Sequence, residues 1–131
     1  MHKISLSTVS RSQFVDITAR LQEIIAREKV MDGRALVWVP HTTAGLTVNE
    51  NADPDVVRDI LASLDQRFPW DGGYAHSEGN SAAHIKSSLM GCEKTLIIKN
   101  GQLALGTWQG LYFCEFDGPR KREVWVKLVN G

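Results

Sequence analysis

An excess of charge of one sign, a long apolar run and paired cysteines are all missing from this chain, and each absence removes a class of function. Fifteen Lys and Arg stand against fifteen Asp and Glu. No net field therefore draws the protein to nucleic acid, membrane or a strongly charged partner, and any charge recognition has to be local. No apolar run approaches the roughly 20 residues of a membrane span. Met1-His2-Lys3 leads straight into an alternating segment without the apolar core of a signal peptide. The expectation is a cytoplasmic protein with neither membrane nor nucleic acid as a partner. The two cysteines, Cys92 and Cys114, are far apart and form no Cys-x-x-Cys pair. They argue against a disulfide scaffold or a thiolate zinc site and read as buried free thiols. Internal repeats, low-complexity stretches and linker-like segments are absent too.

What is present is enough apolar material, 43% of 131 residues, for one real core, so residues 1–131 read as a single domain. Ile4 to Val9 alternates with period two, as a half-buried strand does. Ser10-Arg11-Ser12-Gln13 has the form of a capping box, and Phe14, Ile17, Leu21, Ile24 and Ile25 recur behind it at helical spacing. A first helix is predicted there, ending near Asp32-Gly33. Arg34 to Val39 is a short, largely buried strand running into Pro40-His41-Thr42-Thr43. Thr47 to Asn51 resumes as strand. Asp53 caps and Pro54 opens a second helix, with Val56, Val57, Ile60, Leu61 and Leu64 on its apolar face.

The Asp71-Gly72-Gly73 cluster marks 70–79 as a loop. Asn80 or Ser81 then caps a short third helix stopped by Gly91, with Ala82, Ile85 and Leu89 packed and Ser81, His84 and Ser88 in a polar stripe. Four strands follow over Lys94–Lys99, Gln102–Thr107, Gly110–Phe116 and Arg122–Val129. Asn100-Gly101 joins the first pair as a hairpin turn. The fold class is α+β.

Three stretches carry more functional side chains than their structural roles require. Pro40 to Pro54 holds His41, Asn49, Glu50, Asn51 and Asp53 at the ends of strands, where a rigid scaffold can aim them into a cleft. The plainer reading is that Asp53 is a helix cap, Glu50 and Asn51 are solvated turn residues and His41 is structural. His76 to Lys86 places His76, Glu78, His84 and Lys86 around Gly79-Asn80-Ser81, whose amides at a helix N-terminus suit a phosphate or carboxylate. Three histidines with an open position can hold Zn²⁺, so convergence of His41, His76 and His84 is one hypothesis. Gaps of 35 residues (41 to 76) and 8 residues (76 to 84) match no local zinc motif. In Gly106 to Arg120, Trp108 is suited to stack on a flat heterocycle or to sit in a core or interface. Glu115 and Asp117 offer oxygens to a hard ion and Arg120 a fork to phosphate, unless the three form a surface salt-bridge turn.

Taken together, Pro40 to Pro54, His76 to Lys86, and Leu105-Gly106-Thr107-Trp108-Gln109-Gly110 leading to Glu115–Arg120 closely resemble the YjbQ-like family, also called the secondary thiamine-phosphate synthase family. Val48 and Cys92 stand where Ile and Ser are as readily expected. The resemblance covers nearly the whole chain. It implies a compact, mostly antiparallel β-sandwich-like core with about three flanking helices, assembled as a homotrimer, with metal held by His41, His76 and His84 in a cleft near the subunit contacts. It also implies an activity that joins hydroxymethylpyrimidine diphosphate to thiazole phosphate with release of diphosphate.

On that reading electrostatic stabilisation of the departing diphosphate carries the catalysis. The metal, Lys86, Arg120 and the Gly79 to Ser81 amides are assigned to it; Glu50, Asp53 and Glu78 orient ligands or hold a second ion. Trp108 stacks on the pyrimidine, with Gln109, Asn49, Asn51 and Asp117 as further binding groups. Three imidazoles favour a Zn-like ion, whereas diphosphate chemistry commonly uses Mg²⁺. A metal-dependent hydrolase with Glu78 as general base and a trimeric small-anion binder are therefore the alternatives.

Overall fold

A computed structural model describes residues 1–131. The chain runs β1 (His2–Ser7), β2 (Gln13–Asp16), α1 (Thr18–Glu28), β3 (Gly33–Trp38), β4 (Ala44–Glu50), α2 (Pro54–Arg67), α3 (Ser81–Met90), β5 (Glu93–Lys99), β6 (Gln102–Leu103), β7 (Gln109–Glu115) and β8 (Lys121–Asn130). Five strands form one sheet in the order β1-β8-β3-β5-β6 and three form a second, β2-β7-β4. Every pairing is antiparallel. The α+β fold with three helices read from the sequence is the one that forms, and its two antiparallel sheets fit the sandwich that the family resemblance implies.

Period-two alternation explains how the layers stack. Leu111 and Phe113 of β7 join Leu46, Val37, Val124, Val126 and the α1 residues Leu21, Ile24 and Ile25 in the core between the sheets. Tyr112, Cys114 and the following Phe116 point the other way, into a second cluster that receives Val57, Leu61 and Leu64 of α2 and Ala83 of α3. β7 is thus buried on both faces from Gly110 to Glu115. Asp53 accepts from the Asp55 amide at 2.9 Å at the start of α2, as its cap role requires. Asn100 and Gly101, both at positive φ, turn β5 into β6.

Two expectations give way to tertiary packing. Gln13 does accept from the Val9 and Ser10 amides at 2.8 and 3.3 Å, which is half of the capping box. Yet Gln13–Asp16 is a strand on β7, and α1 begins at Thr18, whose amide and hydroxyl reach Asp16 Oδ1 at 2.9 and 2.6 Å. The helical spacing of Phe14 and Ile17 mixes two cores: Phe14 packs on Tyr112 and Phe116, whereas Ile17 lies in the core between the sheets. Similarly, α3 buries Ala82, Ala83, Lys86 and Ser87, and Leu89 is 58% exposed. It lies so close to β4 that a Cβ on Gly45 would stand 2.7 Å from the Gly91 oxygen, so only small side chains fit between them. The strand expected over Gln102–Thr107 stops at Leu103, because Gly106 to Gln109 closes a turn with a 3.0 Å backbone bond.

Candidate functional site

A cleft of about 520 Å³ opens where β4 and α3 begin and β7 passes into β8, and none of its eleven lining residues is hydrophobic. His41 reaches it from the segment between β3 and β4, His76 and Glu78 from the loop before α3, His84 from the first turns of α3, Asp117 and Arg120 from the β7–β8 connection, and Arg122 from the start of β8. Three histidines from three different segments of the chain therefore line one cleft.

Their geometry differs. The rings of His76 and His84 meet edge to face, with centroids 5.5 Å apart and planes at 89°. His76 Nε2 is 4.0 Å from Glu78 Oε2. Nε2 of His41 faces the Glu123 backbone, 3.0 Å from its amide and 3.1 Å from its oxygen. Burial, with the charge of Arg122 behind it, lowers the His41 pKa below its ordinary value; the Glu123 contact and the charges of Glu115 and Glu123 oppose this only in part. The ring is held neutral, which is the ligating form and the form that accepts from the Glu123 amide.

The floor is a buried ion pair. Arg122 and Glu115 expose 4% and 0% of their side chains. Arg122 Nε donates to Glu115 Oε1 at 2.9 Å, Nη2 donates to Oε2, and Nη2 also reaches Thr43 Oγ1 at 2.9 Å and the Thr43 oxygen at 3.3 Å. Thr8 Oγ1 donates to Glu115 at 2.7 Å, and the Phe116 and Asp117 amides donate at 3.1 and 3.0 Å. Burial pushes this carboxyl upward, but the bonds from Arg122, Thr8 and Asp117 and the Arg122 charge outweigh it and leave it below the ordinary carboxylate range. Glu115 is therefore spent on Arg122, which corrects the expectation that it offers oxygens to a hard ion. Gly118 closes the floor: a Cβ there would stand 2.2 Å from the Ser10 oxygen and 2.7 Å from Thr8 Oγ1.

On the rim, Asp117 accepts from Asn80 Nδ2 at 2.9 Å and from Arg120 Nη2 at 3.1 Å, and Arg120 Nε donates to the Asp117 oxygen at 2.7 Å. Asn80 Oδ1 is the one buried side-chain polar atom in the molecule with no protein partner. Such an orphan costs about 1–3 kcal/mol unless something supplies a donor or a cation.

These residues suit a divalent ion in kind. Zn–N bonds of about 2.0–2.1 Å at a tetrahedral angle put the centroids of two ligating imidazoles about 5 Å apart, close to the His76–His84 separation. As they stand, no three His, Cys, Asp or Glu side chains in the molecule surround a common point at ligand distance. His41 would join through Nδ1 or by exchanging its Glu123 contact.

The remaining expected residues lie elsewhere. Lys86 is buried, 3% exposed, and paired with Asp65 of α2, so it braces α3 against α2 and does not line the cleft. Of Gly79, Asn80 and Ser81, Asn80 alone lines it, and the Gly79 amide is taken by the His76 oxygen at 3.1 Å. Asn49, Glu50, Asn51 and Asp53, with Trp108 and Gln109, sit at the far end of the β4–β7 ladder, where Glu50 pairs with Gln109 and Ala44 with Glu115. Six steps of strand place them about 20 Å from the cleft. Trp108 is 63% exposed there and stacks on no ring. Arg122 was not singled out from the sequence, whereas Thr43 stood within the polar stretch that begins at His41. The available signal was Arg122 in phase with the inward residues Val124 and Val126, opposite Glu115 in phase with Leu111 and Phe113.

Residues 2–131 match the family described as UPF0047 protein YjbQ-like. A UPF0047 protein of Methanocaldococcus jannaschii is 53% identical over 130 residues, covering 99% of this chain and 94% of that one. The UPF0047 protein YugU of Bacillus subtilis is 47% identical over 128 residues, covering 97% of each. Among solved structures, a YjbQ/UPF0047 protein of Clostridium acetobutylicum superposes with a TM-score of 0.97 at 57% identity, covering 98% of this chain and all 100% of that one. Full-length matches at these identities, on the same fold, place the chain in the YjbQ-like UPF0047 family.

Proposed function

We propose that the cleft performs metal-assisted chemistry on a small phosphorylated or diphosphorylated molecule, with His41, His76 and His84 holding a Zn-like divalent ion. The observation that carries this reading is that three imidazoles, two arginines and an unpartnered buried amide oxygen share one cleft without a hydrophobic residue in its wall. When bound, the ion would polarise phosphate oxygens and stabilise charge gathering on them. Arg120, half exposed on the rim, would bind the outer phosphate oxygens. Glu78, beside His76, would orient that ring or hold a proton.

The reaction we assign is thiamine-phosphate synthesis. The thiazole nitrogen bonds to the methylene carbon of hydroxymethylpyrimidine diphosphate, the carbon–oxygen bond breaks, and its electron pair leaves on the diphosphate. Family resemblance supports this reaction, and it likewise supports a homotrimer working in the cytoplasm. One observation favours hydrolysis instead: Trp108, the residue suited to stack on the pyrimidine, lies at the far end of the β4–β7 ladder. A water molecule would then replace the thiazole, with Glu78 as its base.

The test is product formation from both precursors with added Zn²⁺ or Mg²⁺, by the unchanged protein and by a Glu78→Ala, Arg120→Ala double variant. Thiamine phosphate that falls at least about tenfold in the variant supports the synthase and the roles given to Glu78 and Arg120. Diphosphate release without the thiazole partner selects the hydrolase. Metal-independent turnover equal in both proteins removes the proposal.

A further inference from the structure

The Arg122 guanidinium has five N–H donors, and its protein partners use only one side of it. Nε and Nη2 are taken by Glu115 and Thr43, and Nη1 has no hydrogen bond in the protein. Nη1 is not sealed in either, because the sole buried side-chain polar atom without a partner is Asn80 Oδ1. The residue lines two depressions: the histidine cleft and a groove of about 690 Å³ beside Ser5, Ser7 and Lys121. Arg122 and His41 are the residues common to both walls. A nearly buried, rigidly held guanidinium with one unbonded nitrogen thus lies where two open spaces meet.

We propose that Nη1 of Arg122 is the fixed donor for an oxygen of the anionic ligand, and that Glu115 is a positioning residue that holds the fork. This rests on the phosphate-handling reading and names the group that fixes the anion. Arg120 is the obvious candidate from sequence, but its side chain is 51% exposed and its Nε and Nη2 are spent on Asp117. A flexible rim arginine loses rotamer entropy on binding, whereas Arg122 is already ordered by Glu115, Thr43 and, through Glu115, Thr8. Because the Arg122–Glu115 pair is neutral as a unit, its contribution is directional more than coulombic. Lysine, which keeps the charge but lacks the planar fork, should not replace it.

The probe is inorganic diphosphate, titrated calorimetrically into the full chain with and without Zn²⁺. Arg122→Lys should weaken binding about tenfold or more in both conditions, as expected for losing a charge-assisted bond. In unchanged protein with ¹⁵N-labelled arginine, the Arg122 Nη1 signals should shift and saturate with diphosphate. Glu115→Gln should free the fork to rotate, so that the separate Nη1 and Nη2 signals merge. Arg122 signals that stay still at saturating diphosphate overturn the proposal even if Arg122→Lys fails to fold, as does affinity within twofold in a folded Arg122→Lys protein. Signals that remain separate in Glu115→Gln overturn the positioning role. Diphosphate binding that ignores Arg122 leaves the phosphate-handling reading standing; diphosphate that does not bind at all overturns both.

Discussion

The two ends of the β4–β7 ladder are equally rich in polar residues and have opposite fates. At the Glu50 end most of the side chains are used within three residues of themselves, with Asn51 reaching across to Asp16 of β2. Asn49 accepts from the Glu50 amide at 2.7 Å, Glu50 from the Asp53 amide at 3.2 Å, and Asp53 from the Asp55 amide at 2.9 Å. Asn51 donates to Asp16 at 3.2 Å, and Gln109 folds back on the Gly106 amide at 2.8 Å. Tyr112 donates to the Glu50 oxygen at 3.0 Å; burial first, then the Asp16 and Glu50 charges, raises its pKa. At the Glu115 end the carboxylate bonds Arg122 seven residues on and Thr8 near the start of the chain, and Arg122 bonds Thr43; these contacts tie down the floor of a cleft lined by the three imidazoles. Polar density in a sequence marks both ends alike. What separates them is whether short-range partners exist to consume the side chains.

That contrast can be broken by mutation. Glu115→Ala leaves Arg122 buried without its partner, and the cost should be about 3–5 kcal/mol in a denaturant titration. A loss below about 1 kcal/mol would mean the floor is not the rigid element described. A pH series on chelator-treated protein comes next. Glu115 and His41 both have lowered pKa values in the folded chain, so the unfolded chain binds more protons as pH falls. The His41 contribution is complete above its ordinary value of 6.5 and the Glu115 contribution above 4.5, and each is lost as pH drops through its lower folded value. The melting temperature should therefore fall on acidification from pH 7 and hold from pH 7 to 8. Stability that rises on acidification would contradict the assigned states.

Smaller effects sharpen the other end. Asp53→Ala should cost about 1 kcal/mol, the value of a helix cap, and leave Zn²⁺ and diphosphate binding unchanged. Altered ligand affinity there would show that the far end reaches a site after all. Trp108→Ala, at an exposed turn, should change stability by no more than about 0.5 kcal/mol. A larger loss, or a fall in assembly size by light scattering, would assign Trp108 to an interface.

Local chemistry was legible in the sequence. Asp53-Pro54 started α2, Asn100-Gly101 turned the β5–β6 hairpin, and alternation from Ile4 marked β1. Elements shaped by two cores at once were not. Phe14 and Ile17 serve different clusters, so their spacing imitated a helix, and α3 buries Lys86 and Ser87 because Gly45 brings β4 up against small residues. The same limit applied to the site. His41, His76 and His84 were visible as candidates and do share a wall, but Lys86, drawn beside them by sequence, is turned into the α2–α3 contact by Asp65. Arg122 looked like the first residue of a strand, and only its contacts with Glu115 and Thr43, from other parts of the fold, place it under the cleft.

Whether His41, His76 and His84 hold one divalent ion is decided by Zn²⁺ titration of the full chain, followed by metal analysis after gel filtration. About one ion per chain should be retained, and lost in His84→Ala and in His76→Ala with folding intact. Far less than one ion per chain in the unchanged protein, or full metal content in His84→Ala, would contradict it.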